Sequence, residues 1–286
     1  MFNKYYAAVS LVLLFTQPCH ADKDPLPLDI TGANGSLLQF KSWHQHGGWS
    51  DIEYKGPNGA FRIYDLPSEQ GSSGIRTVIS SDEKSVSPDK KFLLVYRTVF
   101  GDVIDEQGSA VNSEQAHCEA VALESGCVKD VGSVFQCDGA WVDGKWKVTT
   151  GEIFDFSKEG LSPQRLISEV ANLSSSESRS NSLRDLIFMG VPSYMACYPP
   201  EKSISEYNDI GFYFAQGGEH LLAMQIYNKL LGLAPERVPL KLNVADSLWA
   251  LGKQAEAKSF YVSYWDVMLK KGAANKVPVR VEERSR

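Results

Sequence analysis

No stretch of this chain is long and apolar enough to span a bilayer, which takes about 20 consecutive apolar residues, so a membrane-embedded body is not expected. An excess of positive charge is missing too. Against 35 acidic residues stand 29 Lys and Arg, and the net charge of −6 argues against a general affinity for nucleic-acid phosphates or anionic lipid. Phosphate-cradling glycine loops of either standard spacing are lacking, and Gly71-Ser72-Ser73-Gly74 is not the Gly-x-Ser-x-Gly turn that exposes a hydrolase serine. Potential metal ligands are sparse. His44 and His46 would share one side of a strand, yet no third and fourth ligand stands at a recognisable spacing, so neither a metal nor a cofactor is expected. His117 beside Cys118 is not a nucleophile arrangement, because such partners meet in space rather than by adjacency. Glu152 and Asp155 would do glycosidase-like work only if a cleft brought them together. No catalytic residue is assigned.

What is present begins with an address. Lys4, the apolar run Ala7 to Phe15 and Cys19-His20-Ala21 read as a signal peptide over residues 1–21, cut after Ala21. Acylation at Cys19 is the weaker reading, since Thr16-Gln17-Pro18 lacks the leucine and small residue usual before a lipidated cysteine. A periplasmic or secreted protein is therefore expected. Cleavage leaves Cys118, Cys127, Cys137 and Cys197, an even number in an oxidising compartment, where disulfides persist. Four cysteines allow three pairings, and the close spacing of the first three favours one bridge among them.

Residues 22–171 read as a β-rich domain of short strands separated by turn residues. Asp143-Gly144 suits a two-residue hairpin turn that sets Trp141 opposite Trp146. Trp49 to Lys55 and Ala60 to Leu66 form a second candidate hairpin, and the apolar run Lys91 to Phe100 should be a central strand. Residues 172–182, rich in serine, read as a linker, and a helix is expected from Ser182, with Asp185 completing a capping box. Helical structure is expected over 183–271, followed by a frayed basic tail, 272–286. The fold class expected is thus α+β multidomain.

The helical region contains a repeat at a period of 34 residues, 204–237 and 238–271. Gly218 matches Gly252, Ala223 matches Ala257 and Tyr227 matches Tyr261, while Ile210, Gly211 and Phe214 match Val244, Ala245 and Leu248. With Tyr207 and Pro235 the first copy resembles the tetratricopeptide repeat family; the second departs from it at Lys241 and Leu269. The resemblance implies paired antiparallel helices whose first members line a concave surface. On that surface it places Asn208, Phe212 and Gln216 from one copy and Leu242, Asp246 and Trp249 from the other, with Phe212 and Trp249 as anchors. The function expected is binding of another protein, as an adaptor or assembly factor for an envelope complex or as an immunity protein against an exported antibacterial effector. The contrasting expectation is an envelope hydrolase or carbohydrate-acting enzyme with its site in the β domain.

Overall fold

The computed structural model describes residues 25–285 apart from 58, 70–75, 82, 105–106 and 157–159, so the expected signal peptide lies outside the described residues. The chain is an α+β protein, with antiparallel β-structure first and helices after it. The strands are β1 (Leu28–Thr31), β2 (Leu37–His44), β3 (Gly48–Gly56), β4 (Gly59–Ile63), β5 (Arg76–Ser80), β6 (Phe92–Ile104), β7 (Ala110–Ala122) and β8 (Cys127–Ser133). They form one sheet in the order β1-β2-β3-β5-β6-β7-β8, with β4 also pairing with β3. A three-stranded sheet follows, made of β9 (Gly139–Val142), β10 (Lys145–Val148) and β11 (Ile153–Phe154). Its hairpin turns at Asp143 and Gly144, both at positive φ (50° and 74°), and sets Trp141 opposite Trp146 in T-shaped contact.

Alternation along the strands sends side chains to two different cores. From β6, Leu93 and Val95 enter a core shared with the helices, while Leu94 enters one covered by the small sheet, beside Cys118, Trp146 and Phe156. The large sheet is therefore sandwiched between the small sheet and a helical layer. That layer comprises α1 (Pro163–Val170), α2 (Ser176–Leu186), α3 (Val191–Cys197), α4 (Ile204–Gln216), α5 (His220–Leu233), α6 (Val238–Ala250), α7 (Gln254–Lys270) and α8 (Val279–Ser285).

Four sequence expectations are corrected here. The Ser-rich stretch 172–182 is not a linker, because Ser175 caps α2 by accepting from the Ser178 amide (3.0 Å), and Ser180 and Leu183 are buried. Its serines act as a cap and as a small contact surface: a Cβ on Gly217 would collide with Ser180, so α2 and the end of α4 meet at close range. No domain boundary falls there, since one continuous core runs from Phe40 and Ile52 of the sheet through Leu166 and Leu183 to Tyr207 and Tyr261. The tail is not wholly frayed either, for α8 docks with Val281 fully buried. Nor does a helix begin at Ser182, because α2 starts at Ser176 and carries Ser182 and Asp185 inside it rather than at a capping box.

Between α4 and α5, and again between α6 and α7, the chain turns at Gly218 and Gly252, both at positive φ (90° and 75°). Within the first pair a Cβ on Gly211 would lie 2.5 Å from the Tyr227 ring, which explains a residue with no side chain in mid-helix. Two disulfides are formed, Cys118 to Cys137 and Cys127 to Cys197. The first ties β7 to the turn that leads into β9; the second ties β8 to the end of α3. Among the described residues no helix is long and apolar enough to cross a membrane.

Candidate functional site

Where the helical layer ends over the large sheet, the sheet face changes from apolar to polar. Strand register explains which residues appear there. Val95 lies opposite Glu119, Arg97 opposite His117 and Val99 opposite Gln115 on β6 and β7, so all six share the helix-facing side. Glu119 is wholly buried and holds two partners: Arg97 donates from Nε to Oε1 (2.5 Å), and the Tyr64 hydroxyl donates to Oε2 (2.6 Å). Tyr64 is delivered by an unusual backbone, with φ at 63° and its amide donating to the Met189 carbonyl (2.8 Å). From the helical side Phe188 lays its ring against the Arg97 guanidinium, 4.5 Å from centroid to Cζ.

Two cavities adjoin this cluster, of about 700 and about 630 Å³, and they share Arg97, His117, Asp185 and Phe188 as a common ridge. Together they make a trough along the junction of sheet and helices. The larger cavity is walled by Phe154, Phe156, Leu186, Met189 and both cysteines of the Cys127–Cys197 bridge. The smaller has a polar lining that includes Ser50, Asp65, Thr77 and Gln115. Glu152 and Asp155, considered above as a carboxylate pair, lie on one wall of the larger cavity.

The charges of the trough divide into two kinds. Its cations are committed internally: Arg97 to Glu119, Lys129 to the Phe156 carbonyl, and Arg184 to the Leu66 and Pro67 carbonyls and to Glu219 (3.2 Å). By contrast the side-chain carboxylates of Asp65, Asp130, Glu152 and Asp185 accept no hydrogen bond and form no ion pair among the described residues. Burial pushes the Glu119 carboxyl up, against the pull of Arg97 and Tyr64. Burial, then the neighbouring Arg97, holds the His117 imidazole below its ordinary 6.5, with Asp130 opposing. Burial and Glu119 raise the Tyr64 phenol well above its usual range.

The six residues expected to line a helical groove do not share one open face. Asn208 is buried and accepts from Asn243 (3.3 Å), and Leu242 is half-buried. Asp246 receives Arg280 and the Tyr261 hydroxyl (2.7 Å), and Arg284 lies over the Trp249 ring at 4.7 Å, so α8 covers both residues. Phe212 and Gln216 remain exposed. His44 and His46 stack on each other, and His46 also stacks on Phe100. Among the described residues no group of three or more His, Cys, Asp or Glu is placed to hold a metal ion.

Sequence reasoning passed over Tyr64, Arg97, Glu119 and Phe188, and took Asp185 only for a helix cap. A signal was present for two of them: Arg97 is the one charge between Phe92 and Phe100, and Glu119 is the one acid between Ala116 and Ala122. A charge inside an apolar strand must be paired or neutralised, which points to a partner brought by the fold. No protein-family model matches the chain, and a search of curated proteins returns no match.

Proposed function

We propose that this chain is an exported, non-enzymatic protein-binding protein, periplasmic or secreted, whose recognition site is the trough between the sheet and the helices. The observation that carries this reading is the pre-organised concavity: its two walls are cross-linked by Cys127–Cys197, and its central guanidinium is held by Glu119 on one side and Phe188 on the other. A cleft fixed before binding loses little conformational entropy when a ligand enters, which favours recognition. The helical half supports the same reading as an array of tetratricopeptide type, with matched glycine turns at Gly218 and Gly252 and a close Gly211–Tyr227 contact. Disulfides bridging all four cysteines of the described residues, together with the signal-like N-terminus, support an extracytoplasmic site of action. Its role is that of an envelope adaptor or of an immunity protein against an exported effector.

Affinity capture from the periplasm with the mature chain, run beside Asp185→Lys, tests this. One protein retained in stoichiometric amount by the wild type and lost from the variant is expected, and its identity as toxin or envelope component separates the two roles. Equal retention by both chains overturns the trough as the site; nothing retained by either overturns the binding role.

A further inference from the structure

We infer that the trough takes an extended polypeptide segment bearing basic side chains interleaved with aliphatic ones; this rests on the trough being the recognition site proposed above. The argument begins with shape. Two adjoining cavities on either side of one ridge suit an elongated ligand that places a side chain in each, rather than a single compact molecule.

Charge then fixes the sign. Arg97, Lys129 and Arg184 already spend their donors on Glu119, on backbone carbonyls and on Glu219, whereas Asp65, Asp130, Glu152 and Asp185 stand around the same space without ion-pair partners among the described residues. What is left to be neutralised is negative. The four carboxylates are spread over β8, the loop before β11, the loop after β4 and the end of α2, and they are not gathered as a metal-ligand set. Spaced carboxylates match a chain carrying several separated cations better than they match one ion.

The walls supply the remaining specificity. Phe154, Leu186, Phe188 and Met189 give the larger cavity an apolar surface that would take aliphatic side chains and the methylene stems of lysine or arginine. A purely polar polycation would leave that surface wet. His117 on the ridge and Gln115 beside it add imidazole and amide groups able to meet a peptide backbone.

The test uses the oxidised mature chain and a labelled hexapeptide alternating lysine and leucine, followed by fluorescence anisotropy and by the imidazole resonances of His117. Spermine, the same peptide with glutamate for lysine, and a β-1,4-linked N-acetylglucosamine tetramer serve as comparison ligands. Expected is saturable binding of the lysine peptide that shifts His117, weakens with salt, and falls roughly tenfold or more in Asp130→Asn/Asp185→Asn, whose exposed side chains tolerate the change. Binding undiminished in that variant overturns the inference, because the peptide then sits elsewhere on an acidic protein. Spermine binding as tightly as the peptide overturns the aliphatic requirement. If the glutamate peptide or the sugar shifts His117 and the lysine peptide does not, the ligand class is overturned while the trough stands as the site. If none of the four ligands shifts His117, the inference fails together with the trough.

Discussion

Arg280 on α8 donates two hydrogen bonds to Asp246 on α6, from Nε at 2.9 Å and from Nη2 at 2.7 Å, across 34 residues of chain. The same carboxylate accepts the Tyr261 hydroxyl, so one side chain organises α6, α7 and α8. A helix of seven residues cannot persist alone in water. It is held here by that fork, by Arg284 over Trp249, and by Val281, which is fully buried. Full burial of a valine stabilises by about 1.5–3 kcal/mol, and a partly exposed ion pair adds up to about 1 kcal/mol. Arg280→Ala should therefore cost about 1 kcal/mol and speed amide hydrogen exchange over 279–285 more than elsewhere. Exchange in α8 as slow as in the wild type would show that Val281 and Arg284 hold the helix without the fork.

Phe212 and Trp249 occupy equivalent positions of neighbouring repeats only loosely, and the structure treats them differently. Phe212 is 40% exposed and touches Tyr213 at the edge of the array, whereas Trp249 contacts both the Arg284 guanidinium and the Tyr261 ring. Urea denaturation should find Phe212→Ala within about 0.5 kcal/mol of the wild type, as for an ordinary surface change. Trp249→Ala should cost about 2 kcal/mol, less than the roughly 3–5 of a fully buried tryptophan. Equal losses would mean that α8 does not rest on Trp249.

What could be read from the sequence was governed by local chemistry. Asp143-Gly144 gave away its hairpin because few residues accept positive φ, and the 34-residue repeat was visible because Gly211, Tyr227 and Tyr261 are fixed by helix-to-helix distance. The trough was hidden because it depends on sheet order. Arg97 meets His117 only through the register of β6 with β7, and Phe188 arrives from a helical layer far along the chain. Composition misled at 172–182, where serines that cap and pack resemble serines of a linker. Charge misled at the C-terminus, because the cations that suggested a solvated tail are the contacts that dock α8.

Cysteine number was legible, but pairing was not, since Cys127 and Cys197 lie 70 residues apart and are joined only by the packing of α3 on β8. The longer loop should matter more. Chain-entropy reasoning gives about 4 kcal/mol for closing it and about 3 kcal/mol for the 19-residue loop of Cys118–Cys137. Cys127→Ser/Cys197→Ser should accordingly lose more stability to denaturant than Cys118→Ser/Cys137→Ser, and it should loosen the larger cavity, whose wall the bridge forms. Non-reducing peptide mapping is the prior check, and any other pairing, or free thiols in exported protein, would defeat the assignment.

The last prediction concerns pH. His117 is held below 6.5 by burial first and by Arg97 second, while Asp130 pulls the other way. Near and below 6.5 the unfolded chain therefore binds more protons at this residue than the folded one does, and stability rises with pH wherever that is so. The contribution of His117 is fully present above about 6.5 and is lost as pH falls through its depressed folded value. Imidazole resonances should show a midpoint below 6.5, and Asp130→Asn should move it lower still by removing the opposing charge. His117→Gln should flatten the stability profile across that window relative to the wild type while leaving higher pH unchanged in slope. A midpoint at or above 6.5 would mean that the imidazole is neither buried nor set beside the Arg97 charge, and the ridge of the trough would have to be redrawn.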